Sequence, residues 1–289
     1  MKHSSHILFI LFLVLIGLFA VVSLNLNGYL YYLTPLDARP FRSDYAVMKP
    51  SGSYSHGLGI YGALMIIVGV STYSTRKRLR SLWRFGRLHN WLEFHIFLCL
   101  VGPLLVLYHT TFKAGGIAAI SLWTMLSVAS SGIIGRFFYT LIPRNLNGTE
   151  LTLEEIDNRL QELNSSLQSN TIGEKILHMI DESFADIKKP SGIGEMVSSL
   201  LHLQKIKSHI RRTTHSLIAA SSLDHTTAKQ ISEIANDRAL LFQKTIVLQQ
   251  TEKVFYYWHA IHLPFTIIMF ITLAAHVTVA YLLGYRWVL

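Results

Sequence analysis

The chain has 289 residues, 51% of them hydrophobic and 15% charged, with a formal net charge of +9. The apolar residues run in blocks too long for an ordinary soluble domain to cover, which excludes that class. A single cysteine, Cys99, excludes an intrachain disulfide and a thiolate cluster, and the basic excess suits anionic lipid head groups or other acidic groups rather than nucleic acid.

Five stretches reach membrane-spanning length: Ile7 to Leu26, Gly57 to Tyr73, Trp91 to Tyr108, Ile117 to Ile142 and Phe255 to Leu283. The first ends in Ser23-Leu24-Asn25-Leu26-Asn27 without a small-x-small cleavage site, so it reads as a retained helix and not as a secretory signal. The second is the shortest. After it come Arg76, Lys77, Arg78, Arg80, Arg84 and Arg87 with no acidic residue between them, which the positive-inside rule places in the cytoplasm. Threading outward puts the N-terminus inside, the Gly28 to Ser55 loop and the Lys113 loop outside, the Pro143 to Val254 region inside, and Tyr285-Arg286-Trp287 outside. That is the topology expected of a bacterial inner-membrane protein.

The third and fifth spans each carry two histidines, His95 with His109 and His262 with His276, both pairs fourteen positions apart. At ~100° per residue, fourteen steps fall about 40° short of four turns, so both members of a pair share a helix face. Their separation along the axis is roughly 21 Å, inside an apolar slab of about 30 Å. Since both spans run from inside to outside, His95 shares a depth with His262, and His109 with His276. Two imidazoles on opposite sides of an iron make a six-coordinate b-type haem, and polar side chains at membrane depth point to function. No covalent haem-attachment motif is present, so two haems would be held noncovalently.

Neighbouring residues extend the candidate site. Gly102 lies seven steps from both His95 and His109, where a missing side chain would admit either a porphyrin edge or a helix. Pro103 and Pro264 are expected to bend their helices. His259, three residues before His262, competes for the inner position, but seventeen steps to His276 break the match and Trp258 marks the head-group boundary, so His262 is preferred. His89 reads as interfacial. Arg84, Arg87 and Arg136 are candidates for inner haem propionates or are positive-inside anchors; Lys113, Arg39, Arg42 and Arg286 are the outer equivalents.

Between Pro143 and Val254 the chain turns polar, with thirteen Lys/Arg against fourteen Asp/Glu. Leu153, Ile156, Leu160, Leu163 and Leu167 form a helical seam, with Thr152 and Glu155 a capping box ahead of it. Breaks are expected at Lys189 to Gly194 and at Ser221 to Asp224, giving three or four helices, the last of them running on into the fifth span. His178, His202, His209, His215 and His225 read as surface residues, and Asn147-Gly148-Thr149 as an unused sequon. No dinucleotide-binding glycine fingerprint or iron-sulfur cysteine spacing occurs. The expected division is residues 1–142 with four spans, a cytoplasmic helical module over 143–254, and 255–289 with the fifth span and an outer tail. The fold class is an all-α membrane bundle of about five transmembrane helices, with a helical cytoplasmic insertion between helices four and five.

With His95-x13-His109 and His262-x13-His276 on the third and fifth spans, the chain resembles the di-haem membrane cytochrome b cores, especially those of the ferric reductase and NADPH oxidase superfamily. Quinol-linked cytochrome b proteins use a similar spacing. The resemblance implies one haem on His95 with His262 and a second on His109 with His276, both also serving as iron ligands, over spans two to five. The chain departs from that family in its 110-residue insertion and in having no sixth span and no flavin or nicotinamide domain, so self-sufficient reduction by NADPH is not expected. The function implied is transmembrane electron transfer as a membrane subunit of a larger redox complex, with a redox partner at the cytoplasmic module. Alternatives are a quinone-reactive membrane anchor, a divalent-metal transporter lined by the same imidazoles, and a membrane signalling protein.

Overall fold

The computed structural model describes residues 2–285 apart from Trp83, Arg87, Ala114, Gly116, Ile117, 144–150 and Ser222. Among the described residues there is no strand. The helices are α1 (Lys2–Leu33), α2 (Tyr45–Met48), α3 (Ser53–Arg78), α4 (Leu88–His109), α5 (Ala118–Leu141), α6 (Leu153–Gln168), α7 (Thr171–Ala185), α8 (Ile193–Ala219) and α9 (His225–Leu282). Five segments, containing α1, α3, α4, α5 and α9, are long and apolar enough to cross a membrane. The protein is an all-α membrane protein.

Packing divides the chain into two units, Met1–Ile133 with Ala260–Leu289, and Ile134–His259. Hydropathy alone put these limits at 142 and 255. The difference arises because Phe138 packs on the main core of the second unit, while Ile142 and Phe255 join Ile156 and Leu248 in its smaller one.

In the first unit α3, the span of weakest apolar character, is helical over 26 residues. Its low apolarity has a packing cause. A Cβ at Gly62 would lie 2.7 Å from the carbonyl oxygen of Gly102, and one at Gly102 would lie 2.7 Å from Ile66 Cγ1. The two helices meet nearly backbone to backbone, the close approach that small residues permit inside a bilayer. Ile66, Leu122, Met125 and Met269, from α3, α5 and α9, form the buried core, with Val106 and Leu107 of α4 against it. Thr124 and Thr272 add a hydroxyl pair at 3.4 Å across α5 and α9. From α1, Asn25 Nδ2 donates to Tyr108 Oη at 3.1 Å. Pro103 and Pro264 are accommodated inside α4 and α9 without ending them.

One end of α4 is held by an arginine. Arg39, only 5% exposed, donates Nε to the Thr34 carbonyl at 2.9 Å, Nη2 to that of Tyr32 at 2.9 Å and Nη1 to that of Thr111 at 2.6 Å. Thr111 and Phe112, just past His109, have φ of 52° and 63°. Non-glycine residues in that left-handed region cost about 1–2 kcal/mol each, so the surroundings must enforce the turn. The Arg39 bond to Thr111 does so, along with Phe112 ring contacts to Tyr32 at 5.4 Å and Tyr108 at 5.2 Å.

The second unit is a bundle of α6, α7, α8 and the first part of α9. The capping box at α6 is present, with the Thr152 amide donating to Glu155 Oε2 at 2.7 Å and the Glu155 amide to Thr152 Oγ1 at 3.2 Å. Both expected breaks occur, after Ala185 and after Ala219. A further break at Ser169-Asn170 was not expected; Asn170 Oδ1 caps α7 by accepting from the Ile172 amide at 2.8 Å, and a Cβ at Gly173 would collide with the Leu167 carbonyl. Leu167, Ile176, Ile180, Met196, Leu203 and Val247 are fully enclosed, each such side chain contributing about 1.5–3 kcal/mol of apolar burial. Arg238 bridges α9 to Asp181 on α7 and to Asn164 on α6. α9 starts on Asp224, whose carboxylate accepts from the Thr226 hydroxyl and from the amides of Thr226 and Thr227. Those bonds, the Thr226 hydroxyl first, hold its carboxyl well below the ordinary range.

Candidate functional site

The four span histidines lie in the first unit, and a neighbouring helix grips three of them by the same ring atom. His95 Nδ1–H donates to the Gly69 carbonyl of α3 at 3.0 Å. His109 Nδ1–H donates to the Ser55 carbonyl of α3 at 2.8 Å. A carbonyl only accepts, so both rings carry their proton on Nδ1 and present a lone pair at Nε2. His262 Nδ1 lies 2.7 Å from Ser131 Oγ on α5. That hydroxyl also lies 2.8 Å from the Val128 carbonyl, and which partner of the Ser131–His262 pair donates depends on the imidazole tautomer.

His276, half-buried on α9, is an electrostatic neighbour of both His109 and His56. The His56 ring stands 6.0 Å from that of His109 at 77°. His56 is therefore part of this site, and the sequence reading passed over it. His95 and His262 are fixed by different neighbours, α3 and α5. The His95 ring lies 5.2 Å from Tyr73, and its Nδ1 3.6 Å from Cys99 Sγ one turn along α4.

The competitors and cations separate clearly. His259 is exposed and falls in the second unit with its ring 5.9 Å from Trp258, whereas His262 is half-buried in the first. His89 pairs with Glu93 at 2.9 Å. Gly102 serves the α3 contact, with Ile66 and Gly62 filling the space a porphyrin edge would need. Arg39 is committed to three carbonyls and Arg42 to both oxygens of Asp44 at 2.8 Å, so neither is the outer anion-binding cation the sequence suggested. The Asp44 carboxyl is held below its ordinary range by the hydrogen bond from Arg42. Arg136 lies in the second unit, 5.4 Å from the Tyr139 ring. Arg84 is exposed, 5.6 Å from the Phe85 ring. Lys113 is exposed as well. Arg87, Arg286 and the Asn147 sequon lie outside the described residues.

Ser55, Gly59, Gly69 and Ser131 also belong to the site. Ser55 and Gly69 act through main-chain carbonyls, which carry no residue signature; Ser131, one helix away from His262, was legible only as a polar residue in an apolar span. Among the described residues no three or more His, Cys, Asp or Glu side chains are arranged as a metal site. No protein-family profile, curated protein or solved structure matches the chain.

Proposed function

We propose that this protein carries electrons across a membrane through two noncovalently held b-type haems, the inner on His95 and His262 and the outer on His109 and His276. The single observation that carries the reading is that Nδ1 of His95, His109 and His262 each meets an oxygen of another helix, at 3.0, 2.8 and 2.7 Å. Metal-ligating histidines characteristically give their second ring nitrogen to such an oxygen, which orients the ring and raises its basicity. Haem supplies one-electron chemistry when bound. The chain's own residues would orient the imidazoles, surround the centres with apolar side chains and keep water away, with no nucleophile or acid–base residue required.

The reading extends to a membrane subunit of a larger redox complex in a bacterial inner membrane, with the N-terminus and the helical module over 143–254 cytoplasmic and the C-terminus outside. That module would receive the redox partner; a cleft of about 980 Å³ there carries charges of both signs, Lys188, Lys189 and Lys205 with Glu182, Asp186 and Glu195.

The test is a pyridine haemochrome assay on purified protein with iron quantified. Two b haems per chain are expected, falling to one in His262→Ala and staying at two in His259→Ala. Colourless protein, or loss of haem in His259→Ala alone, would overturn the assignment.

A further inference from the structure

We infer that α3, which supplies no ligand, sets the orientation of the outer imidazole through Gly59 and Ser55; the inference rests on the reading of His109 as a haem ligand. The Ser55 carbonyl is the acceptor for His109 Nδ1–H at 2.8 Å. It is anchored, because the Ser55 side chain is fully buried and its hydroxyl donates to the Met48 carbonyl at 2.6 Å, tying the first turn of α3 to α2.

Gly59 lies one turn further along the same face. A Cβ there would stand 2.8 Å from His109 Cγ, 2.9 Å from Nδ1 and 3.0 Å from Cδ2, and these ring atoms are its three nearest neighbours. Gly62 differs: its missing Cβ faces the Gly102 carbonyl and Val106. Gly62 thus spaces two helices, whereas Gly59 makes room for one ring. A methyl group at 59 drives the imidazole off the Ser55 carbonyl while the α4 backbone stays where it is, since a side chain yields more readily than a helix. The imidazole takes a seat against Gly59, bonded to Ser55, with the His56 ring beside it. Gly59 and Ser55 are positioning residues, acting on the iron only through His109.

The experiment compares full-length wild-type, Gly59→Ala, Ser55→Ala and Gly62→Ala proteins in detergent. The readouts are the ferric low-spin electron paramagnetic resonance g-values, a redox titration resolving both haems, and the unfolding temperature. Gly59→Ala is expected to shift the g-values and midpoint potential of one haem, or to lower its occupancy by about tenfold, leaving the other haem unchanged. Ser55→Ala, which adds no volume, should move the same haem in the same direction by less, and Gly62→Ala should disturb both haems together with stability. Unchanged g-values and potentials in both Gly59→Ala and Ser55→Ala would overturn the inference while leaving the proposed function standing. Equal disturbance of both haems in Gly59→Ala, with lowered unfolding temperature, would overturn it too by making Gly59 a packing glycine. Wild-type protein without haem removes the reading beneath it.

Discussion

Replacing Ser131 by alanine removes one hydroxyl from α5 and, with it, the hydrogen-bond partner 2.7 Å from His262 Nδ1. The ring then loses the bond that fixes its orientation and can turn about χ2, so the fraction of His262 presenting Nε2 to a ligand falls. An unsatisfied polar group of this kind costs about 1–3 kcal/mol, and at 1.4 kcal/mol per decade that is roughly 5- to 150-fold in affinity. It matches the ~10- to 100-fold loss typical when the hydrogen-bond partner of a metal-ligating histidine is removed. The volume change is too small for a general packing effect, and the Thr124–Thr272 pair and the Met269 core remain. Haem titration into apoprotein, followed at the Soret band, measures the affinity of each site separately. Ser131→Ala should weaken one site by at least about tenfold and raise its reduction potential, whereas Ser131→Thr, which keeps the hydroxyl, should restore both. Equal affinities and potentials in the wild-type and Ser131→Ala proteins would refute the argument that this bond prepares the ligand.

Arg39→Ala should lower stability by about 3 kcal/mol, because three carbonyls lose a charged donor and the left-handed turn after His109 loses its restraint; a midpoint in thermal unfolding equal to wild type would contradict it, and Arg39→Lys, a point donor, should fall between. In the second unit, the depressed pKa of Asp224 means that its ionised form supports the start of α9 at every pH above the ordinary carboxylate range, and that this support fades only as pH falls through the lower folded-state value. Hydrogen exchange should accordingly show faster amide exchange at Thr226 to Ala228 in Asp224→Ala than in wild type at pH 7, with the two converging in strong acid. A difference that persisted undiminished in strong acid would show that the charge plays no part.

Much of the organisation was legible because it rests on local signals. Thr152 and Glu155 announce α6 by their spacing, since a capping box needs only two residues on one turn. The breaks at Lys189 to Gly194 and at Ser221 to Asp224 follow from clusters of residues that favour turns over helix. The turn at Ser169-Asn170 escaped notice because it depends on Gly173 admitting the Leu167 carbonyl, an approach between two helices that neither sequence segment declares. Packing groups Phe138 and Phe255 with the second unit although they are as apolar as any lipid-facing side chain, and hydropathy does not reveal which neighbours such residues choose. Arg39 and Arg42 read as free cations beside a span, yet a guanidinium a few residues from a helix end finds carbonyls and carboxylates that linear spacing does not reveal.

By itself the sequence determined the all-α membrane class and the five spans, because burying apolar surface in a slab of fixed thickness demands runs of a fixed length. It also determined the matched spacing of His95 with His109 and of His262 with His276, since helical geometry is the same for every chain. Only the tertiary structure decided how those rings are held. The partners are the carbonyls of Ser55 and Gly69 and the hydroxyl of Ser131, and the room for one ring is the empty side of Gly59. Main-chain carbonyls are common to every residue and a glycine's absent side chain has no chemistry of its own, so both acquire meaning only when a second helix comes within hydrogen-bonding distance.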